Sequence, residues 1–316
     1  MYVSLALLSE PYTERKRGMT KCYVCPHRCG VDRPESIKDS TGTLGACHCG
    51  WLPIVARAGL HQWEEPCLSG TKGSGTVFFS GCSLHCCFCQ NYEISCLNQG
   101  QEISISRLRE IYQELIDQGA HNINLVTPTH FINSILASLA QPLPVPLVYN
   151  TSGYETLDNL RRLQGKVQIY LPDLKYSDNR LAVKYSHAPA YFTFATEAIM
   201  EMYRQTGPYQ LGEDGLMKSG VIIRHLILPG CLDNSKRVID WVAQTFKPGQ
   251  VMFSLMHQYI PCGRAPEYPE LNRKLTAGEY QEIEDYLFST SIEDGFVQEE
   301  EAASSDFIPP FDGTGV

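Results

Sequence analysis

The stretch FFSGCSLHCCFCQNYE, residues 78–93, carries four cysteines, and three of them, Cys82, Cys86 and Cys89, read C-x3-C-x2-C. A short apolar β-rich run, TVFFS (76–80), leads into them, and Gly81 lets the chain turn away from it. The triplet is therefore expected at the carboxyl end of a strand, where α/β sheets and β/α barrels gather their ligands. Cysteine thiolates hold iron–sulfur clusters, and a four-iron cluster usually takes four of them. Three protein ligands leave one iron open to a substrate or cofactor, much as a catalytic zinc keeps an open position. The alternative is a zinc knot completed by Cys87 or a distant residue. Cys87 lies between Cys86 and Cys89, which works against four side chains converging on one ion.

Downstream, β-rich runs alternate with amphipathic helical stretches. Ile105, Leu108, Ile111 and Leu115 share one face of ISRLREIYQELIDQ (105–118). NINLVT (122–127) leads to a helix through FINSILASLA, and PLVYNT (146–151) leads to ETLDNLRRLQ. VQIYLP (167–172) leads to a helical region near 189–206, VIIRHLILPG (221–230) to SKRVIDWVAQTF, and QVMFSLM (250–256) to AGEYQEIEDYLFS (277–289). Six β-then-α units predict an α/β fold with a parallel sheet wrapped by helices, either open and doubly wound or an incomplete β/α barrel. Residues 1–70 read as a loop-rich, Cys-rich segment, 71–290 as the catalytic-type core, and 291–316 as an acidic tail. The tail has two readings: a loosely ordered terminus, or a strap over an open barrel edge anchored by Phe307, Ile308 and Phe311.

The bulk numbers exclude some functions. A net charge of −9 with no Lys/Arg cluster argues against nucleic acid as a partner. No apolar run reaches transmembrane length. The opening MYVSLALLSEPYTERKRG has its charges after the apolar patch, not before it as a secretory signal would, so a cytoplasmic protein is expected. Thirteen cysteines is a high count, with five in residues 22–49 and four in 82–89. Disulfides are rare in the cytosol, so clustered thiols there point to metal. Cys22, Cys25, Cys29 and Cys47 form a C-x2-C-x3-C pattern with a later cysteine, a four-thiolate set for zinc or a second iron–sulfur cluster, with His48 and Cys49 as spare ligands. Gly42 and Gly45 allow the return turn. Cys67, Cys96, Cys231 and Cys262 are isolated and read as ordinary thiols.

The triplet after the first strand of a six-unit β/α chain, with the aromatic Phe88 before its third cysteine, resembles the radical S-adenosylmethionine superfamily. The resemblance implies a partial (β/α)6 TIM-like barrel and a [4Fe-4S] cluster on Cys82, Cys86 and Cys89. It also implies S-adenosyl-L-methionine on the open iron, cleaved reductively to a 5′-deoxyadenosyl radical that abstracts hydrogen. NTSGYE, LPDLKY and IRHLILPG are similar to the strand ends of the pyruvate formate-lyase activating-enzyme branch. There Asn150, Thr151, Ser152 and Gly153 match a third-strand motif that is Asp-first in that branch. Asp173 and Lys175 match the fourth-strand motif, and Arg224 the fifth-strand arginine. By resemblance these would order the cofactor or hold a monovalent cation, with Arg224 meeting the cofactor carboxylate.

The second strand departs from the superfamily's Gly-Gly-Glu, ending instead in Thr127, Pro128, Thr129 and His130. Thr127 and Thr129 are expected to take over the amino-group contact, and His130 reads as a helix-start residue. YNTSGYE, HNINLVTPTHF, CQNYEIS and EEPCLSGTKGSGTVFFSGC look like uncharacterised homologues of that activating enzyme.

The reaction implied by resemblance is hydrogen abstraction, with a glycine of a partner glycyl-radical protein as the favoured target, and an electron donor such as flavodoxin or ferredoxin. The alternatives are a radical enzyme modifying a small metabolite or peptide, and a non-enzymatic electron carrier or zinc-stapled scaffold. Without the family, Arg224 suits bidentate carboxylate binding, and Asp173 and Lys175, two apart, share a face. Their bland readings are a structural salt bridge and a surface ion pair. SGTKGSGT (69–76) lacks the phosphate-loop pattern and precedes a strand. His61 with Glu64 and Glu65 in HQWEEP could orient a substrate, but a solvated loop is the plainer reading.

Overall fold

The computed structural model describes residues 21–39, 42–299, 303–304 and 308–316. The apolar opening patch and Phe307 lie outside these residues. In chain order the elements are β1 (Ile54–His61), α1 (Pro66–Ser69), β2 (Ser74–Phe79), α2 (Tyr92–Ser95), β3 (Gln101–Glu102), α3 (Ile105–Asp117) and β4 (Ile123–Val126). Next come α4 (Ile132–Ser138), β5 (Leu147–Thr151), α5 (Leu157–Arg162), β6 (Ile169–Pro172), α6 (Asn179–Ser186) and α7 (Tyr191–Thr206). The last are β7 (Gln210–Leu211), β8 (Met217–Leu226), α8 (Leu232–Thr245), β9 (Met252–Met256), α9 (Ala277–Phe288) and β10 (Gly295–Val297).

Strands β2, β4, β5, β6, β8 and β9 lie side by side and parallel, the expected partial (β/α)6 arrangement. The sheet is open. Its order runs β10-β9-β8-β6-β5-β4-β2-β1-β3, with β7 as a side arm on β8, so β10 and β3 stand at opposite ends. Local chemistry agrees with the topology. Ser104 caps α3 through Arg107 N–H, and Leu108, Ile111, Tyr112 and Leu115 bury one face of it. Thr276 and Glu279 form a capping box on α9. Every residue of β5 is buried, as expected of a parallel strand covered on both sides.

Two parts differ from expectation. The loop-rich segment 1–70 contains β1, which pairs antiparallel with β2 and extends the sheet. Beyond β1 the chain turns inward, and α1 plugs the hollow side of the curved sheet. Cys67 and Leu68 pack there against Val148, Ile169, Leu171, Ile222 and Met252. This apolar layer forms the bottom of the hollow.

The tail is a strap over its described length. After β10 it reaches the opposite end of the sheet, where Gly313 N–H donates to Ala56 O at 3.1 Å and Ala58 N–H to Thr314 O at 2.8 Å. Phe311 meets Phe78 edge to face at 5.5 Å, and Arg57 pairs with Asp312 at 3.0 Å. Gly315 has φ +75°, and a Cβ there would stand 2.3 Å from Ala58 O, so only glycine fits. The strap thus ties the β10 end to the β1 end across the opening. Among the described residues no helix is long and apolar enough to cross a membrane.

Candidate functional site

A chamber of about 550 Å³, with polar and apolar walls, lies in the hollow. Cys86, Phe88 and Cys89 form one side, Asn150, Asp173, Lys175 and Arg224 another, and Glu64, Glu65, Ile308 and Pro309 close it. The triplet loop is anchored from behind. Gly81, at φ +79°, passes so close to Cys49 Sγ that a Cβ would be 2.3 Å away. Buried His130 donates from Nε2 to Ser80 O at 2.8 Å, and burial holds its pKa down at about 4, so the ring stays neutral. His130 is therefore a brace for the loop, in keeping with its reading as a helix-start residue.

Burial pushes the thiols of Cys82, Cys86 and Cys89 up to about 12, with Cys86 adding to Cys82, Cys89 to Cys86 and Cys82 to Cys89 through charge. Each sulfur has a donor. Leu84 N–H reaches Cys82 Sγ at 3.4 Å, Ser186 Oγ reaches Cys86 Sγ at 2.9 Å, and Ser95 Oγ reaches Cys89 Sγ at 3.2 Å. Lys175 also favours the thiolate at Cys86. Cys96 is less isolated than its sequence context implied: Ser95 Oγ lies 3.5 Å from its sulfur, and it adds to the charge felt by Cys82 and Cys89. Among the described residues no three His, Cys, Asp or Glu side chains crowd closely enough for a single metal ion. The three thiols share a neighbourhood without meeting at a point.

The strand-end residues named from the sequence meet in one network. Arg224 Nε donates to Asp173 Oδ1 at 2.9 Å, Nη1 to Glu64 Oε1 at 3.0 Å and Nη2 to Asn150 Oδ1 at 2.7 Å. Lys175 Nζ donates to Asp173 Oδ2 at 2.5 Å. Burial opposes the charge on Asp173, but Arg224 and Lys175 outweigh it and hold its carboxyl below the usual range. Four of the residues expected to bind a cofactor, besides Phe88, therefore line the chamber. Thr127, Thr129, Thr151 and Ser152 do not. Thr129 and Thr151 instead donate to the buried carboxyl of Glu155 at 2.5 and 2.6 Å, bracing the ends of β4 and β5 from outside the chamber.

The HQWEEP loop is not a solvated loop. Glu64 Oε2 accepts from Asn124 Nδ2 at 2.8 Å and Asn150 Nδ2 at 3.1 Å, so its carboxylate is a working part of the charge network. Glu65 is 6% exposed. The Gln–Trp pair between His61 and Glu64 carried no periodic signal, and only the inward turn after β1 reveals the arm.

The amino-terminal cysteines lie apart from the chamber. Cys22, Cys29 and Cys47 all act on the charge of buried Cys25, whose thiol burial pushes up to about 12. Cys49 donates to Cys47 O at 3.1 Å. Sequence reading missed Arg33, the clamp on this segment. It is 3% exposed and donates to Cys49 O at 2.8 Å, His130 O at 2.7 Å and Gly50 O, beneath the ring of Trp51. A lone arginine in a loop gives no signal without its fold.

The family model for a 4Fe-4S single cluster domain matches residues 69–154, which include the triplet. Among solved structures, Streptococcus suis SuiB bound to S-adenosylmethionine aligns at 12% identity with a TM-score of 0.45. The alignment covers 69% of this chain and 48% of that one. This chain thus spans about half the length of SuiB. Methylornithine synthase (PylB) aligns at 15% identity and a TM-score of 0.44, covering 66% and 59%. In Methanocaldococcus jannaschii, the uncharacterized protein MJ0674 is 30% identical over 302 residues, covering 90% of this chain and 79% of that one. This chain belongs to the family of that archaeal protein.

Proposed function

We propose that the chain is an iron–sulfur enzyme of the radical S-adenosylmethionine type. The observation that carries the reading is the triplet, Cys86 and Cys89 on the chamber wall and Cys82 beside them: one buried and two half-buried thiols, each with its own N–H or O–H donor, beside a charged cradle. The donor set fits a four-iron cube. Three thiols linked by their charges, each with its own donor, match the three protein ligands of a four-iron cluster that leaves one iron open. Cys82, Cys86 and Cys89 would hold it. Bound there, a [4Fe-4S] cluster with an open iron supplies the electron that cleaves S-adenosyl-L-methionine to methionine and a 5′-deoxyadenosyl radical, which abstracts a hydrogen atom.

The chain's own groups do the rest. Ser186 and Ser95 favour the thiolate state of Cys86 and Cys89. Asp173, Lys175, Asn150 and Arg224 present a preorganised zwitterionic wall to a zwitterionic guest. A monovalent cation at Asp173 would have to share it with Arg224 and Lys175, which already take its two oxygens. The four amino-terminal cysteines, whose charges act on one another, are proposed as a separate metal staple, for a second cluster or for zinc once the thiols draw together from where they stand.

Hydrogen abstraction from a glycine of a partner protein and from a small metabolite or peptide remain the two substrate readings. The strap favours the second. With Ile308 and Pro309 on its wall, the chamber is sized for small molecules, and a protein loop enters only if the strap moves. A flavodoxin- or ferredoxin-like protein is the proposed electron donor.

The test is 5′-deoxyadenosine production by anaerobically reconstituted protein with dithionite. The wild type should form it, and a Cys82→Ala/Cys86→Ala/Cys89→Ala chain should not. Equal production by both would remove the mechanism.

A further inference from the structure

The arm that plugs the hollow leaves one acid unspent. Glu65 precedes α1 at the N-cap position, yet its side chain makes no capping bond. It lines the chamber at 6% exposure. No side-chain hydrogen bond from a cation reaches it, because the cations nearby are committed elsewhere. Arg224 is spent on Asp173, Glu64 and Asn150, and Lys175 on Asp173. The hydroxyl of Ser254, which β9 presents next to Arg224 of β8, lies near enough to act on its charge but is itself without a hydrogen-bond partner. Among the described residues the chamber wall holds three carboxyls, Glu64, Glu65 and Asp173, against two cations, Lys175 and Arg224. A buried acid without a cation is costly, and a guest that brings one removes the cost.

We propose that Glu65 is the seat for a positively charged group of the guest, so that the chamber selects a small molecule bearing an amine or other cationic centre. The proposal rests on the chamber being the active site. The cation has two possible sources. One is S-adenosyl-L-methionine, through its amino or sulfonium group; the other is a substrate amine.

The titration of Glu65 agrees. Burial raises its carboxyl to about 7, Glu64 and Asp173 push the same way, and Arg224 and Ser254 push against it. Cys67 of α1 also faces it, a thiol that burial keeps protonated at about 12. His61 on the same arm is held below its usual pKa by burial. Ionised Glu65 binds the cation and neutral Glu65 does not, so affinity should rise as pH rises through 7.

The experiment uses the reconstituted full chain. Equilibrium dialysis measures S-adenosyl-L-methionine at pH 6.0 and 7.5, and fluorescence of Trp63 at the chamber wall follows n-butylamine against n-butanol. Glu65→Gln keeps the shape and removes the charge. Were it to fold poorly, the wild-type pH profile and Glu65→Asp carry the same comparison. If the cofactor brings the cation, its affinity in the wild type rises roughly eightfold over that interval, in step with the ionised fraction, and stays flat in Glu65→Gln. If the substrate brings it, S-adenosyl-L-methionine is flat in both chains, and the preference for butylamine over butanol grows with pH only in the wild type. No difference between wild type and Glu65→Gln with either probe overturns the proposal. Failure of the enzyme reading looks different: S-adenosyl-L-methionine does not bind at either pH, while the butylamine arm still answers for Glu65.

Discussion

The two cysteine groups of this chain look alike in sequence and differ in what surrounds them. Cys22, Cys25, Cys29 and Cys47 belong to a segment clamped to the barrel by Arg33, and none of them lines the chamber. Cys86 and Cys89 do line it, next to Lys175 and the acids and amides of the strand ends. Spacing marks where a metal can be held. The walls decide whether anything else can reach it. On this reading the first group is a staple and the second a reaction centre.

The sharpest way to break the comparison is to remove one thiol from each group. Cys86→Ala should abolish both the visible absorption of the chamber cluster and 5′-deoxyadenosine formation. Cys25→Ala should lower the thermal midpoint while cleavage persists. Equal loss of cleavage in both would merge the two groups into one function.

The arginines give the next contrast. Arg224→Ala strands Glu64 and Asp173 and should cost ~3–5 kcal/mol in a denaturant titration. Arg33→Ala loses bonds to neutral carbonyls and its stack on Trp51, strands no charge, and should cost ~1.5–3 kcal/mol. Its signature is local: faster proteolysis within 21–50, with the barrel intact.

Glu155 bears on both regions. It holds Thr129 and Thr151 behind the chamber, and the next residue, Thr156, donates to Val24 O of the cysteine segment at 3.3 Å. Burial raises its carboxyl from 4.5 to about 7. The folded state therefore holds a proton that the unfolded chain has released. The contribution is full below 4.5 and is lost as pH rises through about 7, at up to ~1.4 kcal/mol per pH unit. Glu155→Gln should flatten the stability profile over that window. An unchanged slope would mean that another group sets it.

The smallest effect separates the sulfurs by their donors. Ser186→Ala removes the hydroxyl from Cys86 and should lower the chamber cluster's midpoint potential by roughly 20–60 mV, the equivalent of a ~0.5–1.5 kcal/mol hydrogen bond. Asn98→Ala, near Cys49 Sγ at 3.9 Å, should leave that potential where it was.

Much of this was legible in the chain. The alternation of apolar runs with 3.6-period stretches predicts all six parallel strands, because each must bury both faces under helices. The triplet, Asn150, Asp173, Lys175 and Arg224 are legible because strand ends and side-chain chemistry coincide. Glu64 and Glu65 were half legible, since a substrate-orienting role yielded to the solvated-loop reading. HQWEEP is as polar as any surface loop, and only the plug of Cys67 and Leu68 pulls it inside. β1 hid in a segment read as loop because an antiparallel addition to an edge needs no helix after it. Arg33 was illegible for a third reason: its acceptors are backbone carbonyls, which leave no mark on sequence. The strap was half legible, since Ile308 and Phe311 suggest an anchor without naming β1 as its partner.

The central claim is an open iron at Cys82, Cys86 and Cys89, facing the chamber. Low-temperature EPR of anaerobically reconstituted, dithionite-reduced protein, recorded with and without S-adenosyl-L-methionine, tests it most directly. The account predicts a reduced four-iron signal that changes on adding the cofactor. A signal indifferent to the cofactor would mean that every iron is capped by the protein, and the chain would be an electron carrier instead.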